Sequence, residues 1–230
     1  MTSADPNADP RGLRSELGRL FAGEIALADG IVPPLVFVTA NALWGLMAGA
    51  ILGVGSGVAI TLWRLGRRRQ LRFAVAGLAG SLFAALFALR AGTANAYFLP
   101  GIITGLATTA VVVISIVTKR PFVAWTSWFA RGWPLDWYWH PRVRPAYSRA
   151  SWLWAGFFLF RSLTQWWLYV EGDTVALGLA RVVMGWPMLL GLLVVTYLLG
   201  RRWLRSLGGP SVAEFEAGAE PPWEGQSTGF

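Results

Sequence analysis

The residue with the most chemical promise is an arginine in an apolar setting. Arg161 stands near the middle of the apolar run 150–170. If that run crosses a bilayer, a guanidinium at such depth costs about 2.5–3.5 kcal/mol on insertion scales. No Asp or Glu lies inside any predicted span to neutralise it. Gln165, one helical turn on, shares its face. The remaining partners are carbonyls, an amide such as that of Asn41, water, or an anion. Two roles fit. One is a polar site that receives an anionic group. The other, somewhat favoured, is a structural clamp on carbonyls freed by Pro100 or Pro187. Arg181, at the outer start of the last apolar run, joins the same face or reaches toward headgroups or toward Glu171 and Asp173.

A second pairing lies in the stretch Gly132 to Pro141, where Asp136 and His140 are spaced as an acid–base pair. A fixed hydrogen-bonded turn is the simpler reading of one such pair among tryptophans. No serine or threonine sits in a nucleophile motif, and no metal-ligand spacing occurs. A single histidine cannot build a multi-histidine metal site. The absence of cysteine excludes disulfides, thiol chemistry, c-type haem attachment and a lipoprotein anchor. The expectation is a non-enzymatic protein without metal or cofactor.

These side chains are carried by segments of unusual composition. Hydrophobic residues make up 55% of the chain and charged residues 14%, against about 25% charged in soluble domains. Apolar runs occupy residues 31–44, 45–63, 71–90, 98–118, 150–170 and 177–199. Most have the length that spans hydrocarbon as a helix, which satisfies its own backbone polar groups. The predicted fold is an all-α, polytopic transmembrane helix bundle. Run 31–44 is short and begins near Pro33 and Pro34, so it decides between six crossings and five.

Orientation follows from the basic residues. Arg64, Arg67, Arg68, Arg69 and Arg72 share one connection, and Arg201, Arg202 and Arg205 follow the last run. Lys119, Arg120, Arg131, Arg142, Arg144 and Arg149 lie in or beside a Trp-rich loop, residues 119–149. Residues 91–97 carry no charge, and 171–176 are acidic. The positive-inside rule places the basic loops in the cytoplasm of a bacterial inner membrane. With Arg11, Arg14 and Arg19 also inside, the preferred topology is six crossings with both termini cytoplasmic. Placement at the ends of apolar runs also explains the net charge of +8 without nucleic acid as a partner.

Residues 1–29 read as a disordered end followed by an amphipathic helix on the membrane surface or on the protein's own cytoplasmic face. The bundle occupies 30–205. Within the loop, Phe122, Trp125, Trp128 and Phe129 share a helical face suited to the inner headgroup layer. Residues 206–230 read as a disordered acidic tail, with Glu214, Glu216, Glu220 and Glu224 among glycine and proline. Gly45, Gly49, Gly53 and Gly57 recur every four residues, so one face of their helix admits a close neighbour. That neighbour is a helix of the same chain, the preferred reading, or a second copy in a homo-oligomer. The embedded Gly53-Val54-Gly55-Ser56-Gly57 has no preceding strand and is no nucleotide loop.

Several stretches together resemble a known pattern. They are Leu35-Val36-Phe37, Tyr97-Phe98-Leu99-Pro100-Gly101-Ile102, Arg120-Pro121, Arg144 with Tyr147, Leu153-Trp154-Ala155-Gly156-Phe157-Phe158 with Arg161 and Gln165, and Met184-Gly185-Trp186-Pro187. In this order they resemble an actinobacterial membrane family known as domain of unknown function 3159, over roughly residues 30–205. Lys119-Arg120-Pro121 and Trp154-Ala155-x-Phe157-Phe158 more distantly resemble the septation protein A family of inner-membrane proteins. That second resemblance implies a role in envelope maintenance or division-linked wall synthesis through protein partners. The chain departs from it by its longer N-terminal helix, its Trp-rich loop and its acidic tail.

Overall fold

The computed structural model describes residues 24–66, 71–226, 229 and 230. The end expected at 1–10, most of the amphipathic segment 11–29 and the basic run Arg67-Arg68-Arg69 lie outside them. All regular structure among the described residues is helical. Two compact units divide at Tyr97 and Phe98.

The first unit contains α1 (Glu24–Trp44), α2 (Leu46–Gly66), α3 (Leu71–Ala91) and a 3-10 turn, Ala94–Tyr97. Helix α1 is 21 residues long and runs through Pro33 and Pro34, so the short apolar run is the later part of a full-length helix. A single residue, Gly45, joins α1 to α2 at φ +84°. A side chain there would be strained, because Cβ crowds the backbone in the left-handed region. The Gly45 N–H donates to the Asn41 carbonyl at 3.0 Å, and α2 returns along α1.

The glycine spacing divides its labour. Gly45 is the turn and faces open space rather than a helix. Gly49 and Gly53 let α1 approach: a Cβ at Gly49 would lie 2.9 Å from Asn41 Cβ and 3.0 Å from the Phe37 carbonyl oxygen, and one at Gly53 3.0 Å from Phe37 Cβ. Gly57 faces Leu78 and Ser81 of α3 at ordinary contact distance. Phe37 is fully buried and stacks on Tyr97, with centroids 4.0 Å apart.

The second unit contains α4 (Leu99–Val117), α5 (Phe122–Arg131), α6 (Leu135–Trp139), α7 (Arg144–Glu171), α8 (Thr174–Val183), α9 (Trp186–Leu207) and α10 (Val212–Glu216). Helices α4 and α7 pack along each other, with α5, α8 and α9 also against α7. Prolines open α4, α7 and α9 within their first turns, where a missing N–H costs nothing. Left-handed Gly132, Gly172 and Gly208 close α5, α7 and α9.

The run 177–199 is not one helix. Helix α8 ends at Val183, and the chain bends at Gly185 before α9 begins. Pro187 explains the break: it has no N–H to continue the ladder, and its ring would clash with the preceding turn. Gly185 permits the bend, since a Cβ there would lie 2.7 Å from the Arg181 carbonyl oxygen.

The Trp-rich loop is a folded aromatic layer. Trp137, Tyr138 and Tyr147 are fully buried and meet edge to face at 5.0 to 6.1 Å, an arrangement that puts a positive ring edge on a negative face. Val123, Ala124, Val143, Ala146, Ala150 and Leu204 complete the core. On α5 the buried side is Val123, Ala124 and Ser127. Trp125, Trp128 and Phe129 stay exposed on the other side, and Phe122 packs against Trp154.

The acidic segment expected to be disordered folds onto this layer. The Trp137 indole N–H donates to the Pro210 carbonyl at 2.9 Å. Phe230 is buried and stacks on Tyr147 at 4.5 Å, with ring planes 6° apart. Its carbonyl accepts from Arg131 Nε at 3.1 Å. Net acidity did not prevent folding because Phe215, Trp223 and Phe230 supply apolar contact. One carboxylate also organises the backbone. Glu214 closes a capping box with Ser211 over α10 and accepts the Glu224 N–H at 2.7 Å and the Gly225 N–H at 3.2 Å.

The hydrogen bonds from Ser211, Glu224 and Gly225 hold the Glu214 carboxyl below its ordinary 4.5, at about 2. Stability linked to a depressed carboxylate is complete above its ordinary value and is lost as pH falls through the folded one. Acidification from pH 4.5 to 2 is therefore expected to strip amide-exchange protection from Glu224 and Gly225. In Glu214→Gln that protection is expected to be weak already at neutral pH. Unchanged protection in both cases would remove Glu214 from this role.

Candidate functional site

Three helices of the second unit build the polar site. On α7, Arg161 is half-buried, while Ser162 and Gln165 are each only 2% exposed. On α8, one turn before the break, Arg181 points at α4. A Cβ on Gly101 would collide with its guanidinium, and one on Gly105 would collide with the Ser162 hydroxyl. Gly101 and Gly105 are one turn apart on α4, so a side-chain-free strip of that helix faces both polar neighbours.

Arg161 makes no hydrogen bond or ion pair with any described residue. The buried Gln165 Nε2 has no hydrogen-bond partner. An orphaned amide of this kind costs roughly 1–3 kcal/mol. Arg181 and Ser162 thus lie against the glycine face of α4, while Gln165 and Arg161 share one side of α7.

Asn41, expected to contribute, lies in the first unit, where its Cβ packs against Gly49 beside the α1–α2 turn. No hydrogen bond or ion pair joins Asp136 and His140. Asp136 is exposed in the first turn of α6. His140 Nδ1 accepts the Arg142 N–H at 3.3 Å, and its ring meets Phe215 and Trp223 edge to face. Burial, then the Arg142 charge, lowers its pKa from the ordinary 6.5. His140 thus sits in a turn packed by aromatic rings.

Sequence reasoning missed Gly101, Gly105 and Ser162. The spacing of four between the two glycines was the available signal, the same one that singled out residues 45–57.

Three helical stretches are long and apolar enough to cross a membrane: Leu46–Trp63, Leu99–Val117 and Thr174–Leu207, the last comprising α8 and α9. Val32–Trp44 and Leu78–Ala91 are shorter apolar helical stretches. Their faces expose large side chains such as Met47, Ile51, Phe83, Ile103 and Leu198. Apolar surface on that scale is a liability in water and an asset in lipid. Helical fold and apolar exterior together define a polytopic helical membrane protein. Within that class, the chain belongs to the family described as Protein of unknown function (DUF3159), whose pattern it matches over residues 21–206. No curated protein and no solved structure matches it.

Proposed function

We propose that this protein crosses a bacterial inner membrane six times, with both ends cytoplasmic, and accepts an anionic group at Arg161 as a small carrier or lipid-handling protein. The observation that carries the reading is the absence of any described counter-ion or carbonyl on Arg161, beside the orphaned Gln165 amide. A structural clamp would spend the guanidinium on protein acceptors. The broken helix at Gly185 adds support, since irregular backbone at membrane depth is tolerated where it is buried in protein or lines a cavity. Helix α1, at 21 residues and about 31 Å, is long enough for the sixth crossing.

A second reading is non-enzymatic support of envelope organisation or septation through protein partners. The exposed Trp125, Trp128 and Phe129 on α5 favour it, as a surface a partner could cover.

The natural absence of cysteine makes topology directly testable. Single cysteines at Thr93 and Glu171 are expected to react with an impermeant maleimide in intact cells, and those at Ala130 and Ser206 only after permeabilisation. In the same background, Arg161→Ala is expected to fold with a Tm within about 3 °C of the parent, about 1 kcal/mol for a chain of this size, while losing anion-dependent activity. The reverse labelling pattern would discard the topology, and collapse of Arg161→Ala would restore the clamp.

A further inference from the structure

We infer that the exposed face of α5 is a docking surface for anionic phospholipid headgroups, held at the edge of the bilayer that α4 crosses. The inference is independent of the Arg161 site and rests on α4 as a membrane-spanning helix.

Depth carries the first half of the argument. Leu99–Val117 is long and apolar enough to cross a membrane, and α5 does not begin beyond its end. The Arg120 N–H donates to the Ser115 carbonyl at 2.8 Å, and the Phe122 N–H donates to Ser115 Oγ at 2.9 Å. Both bonds fold the chain back onto the last turn of α4. The Val123 N–H donates to Ser151 Oγ at 3.1 Å, which ties the same turn to α7. The start of α5 is thereby pinned level with the end of a spanning helix, where headgroups lie.

The second half is the chemistry of the face. Val123, Ala124 and Ser127 are the buried side of α5. Trp125, Trp128 and Phe129 follow at i, i+3 and i+4 on the other side, and Phe129 is 87% exposed. Indole rings favour the headgroup level, where the N–H meets polar groups and the ring meets acyl chains. A protein partner uses such rings as well, so charge and depth decide for lipid. Lys119 and Arg120 are exposed in the link between α4 and α5. The Arg120 guanidinium lies 5.1 Å from the Trp139 ring centroid. Trp139 is 5.7 Å from Trp125, and Trp125 is 5.8 Å from Trp128. A cation is therefore built into one end of a continuous aromatic row. Its contact with the ring uses the charge and leaves guanidinium N–H donors for phosphate oxygens. No Asp or Glu occurs between Leu99 and Leu135, so this stretch holds nothing that repels an anionic surface.

The cysteine-free chain allows single-site probes in the full-length protein. An NBD label is placed at Phe129→Cys and, as a depth reference, at Ile114→Cys on the exposed side of α4. Nanodiscs of phosphatidylcholine, with and without phosphatidylglycerol, carry a phosphatidylcholine spin-labelled near its headgroup as quencher. The label at 114 is expected to be quenched in both discs. At 129 the docked-to-undocked ratio read by quenching is expected to rise with phosphatidylglycerol, about fivefold for each cation engaged, and to fall in high salt. Arg120→Gln is expected to reduce that rise about fivefold. If Phe129→Cys does not fold, Thr126→Cys, also exposed on α5, carries the label. Quenching at 114 without quenching at 129 overturns the inference and favours a protein partner on this face. Equal quenching at 129 in both discs overturns the anionic class, and an unchanged rise in Arg120→Gln overturns the role of Arg120. No quenching at either position overturns the crossing by α4, and the inference with it.

Discussion

Gly49→Leu is expected to leave little folded protein, and Gly49→Ala to lower Tm measurably. The modest change is the informative one. Alanine gains up to about 1 kcal/mol of helix propensity over glycine. Against this, its Cβ would sit 2.9 Å from Asn41 Cβ and 3.0 Å from the Phe37 backbone oxygen. The oxygen belongs to a helix and cannot swing aside, so α1 must back away along its length. Overpacking of this kind costs about 1–3 kcal/mol, which outweighs the propensity gain. Leucine adds three more carbons to the same gap. Gly55 is the control: it has nothing within 4 Å, so Gly55→Ala is expected to be neutral or mildly stabilising. Size-exclusion profiles of detergent-solubilised protein after a heat series measure all three. Equal stability of Gly49→Ala and Gly55→Ala would show that α1 does not press on α2 as described.

Phe230→Ala is expected to release the C-terminal segment. The ring is buried, stacked on Tyr147 and seated where Gly200 has no side chain, since a Cβ there would overlap the ring. Truncating a buried phenylalanine costs about 3–5 kcal/mol, and 3 kcal/mol is on the order of a hundredfold in the released population. Glutamyl endopeptidase reads this directly, because Glu214, Glu216, Glu220 and Glu224 all lie in the segment. The parent is expected to resist cleavage under conditions where Phe230→Ala is clipped. Gly200→Leu should reproduce the effect by filling the slot from the other side. Equal resistance in parent and both variants would mean that the segment is held elsewhere, for example by the Trp137–Pro210 bond alone.

Much of the helical scheme was legible because apolar runs and basic clusters are local signals. The break at Gly185 was less so. Gly185-Trp186-Pro187 is visible in the sequence, but residues on both sides are apolar and hydropathy alone carries through it. In the C-terminal segment composition and pattern point in different directions. Ser211 and Glu214 have the spacing of a capping box, which was a readable sign of order. The pairing of Phe230 with Tyr147 is long-range in the chain, and no local rule selects that partner. At the polar site, Arg161, Gln165 and Arg181 were identifiable as polar groups out of place. What the sequence could not supply was how they are used. That Arg161 meets no acceptor among the described residues emerges only when the helices are brought together.

The one-residue turn at Gly45 bears on how the protein is made. Helices α1 and α2 share a turn too short to let either settle separately. A segment containing Pro33 and Pro34 is a poor candidate for entering lipid alone. Tethered to α2, it is expected to enter with it as a preassembled hairpin during synthesis, so the better-formed helix carries the weaker one across. The arginines that follow α2 would then orient both helices at once.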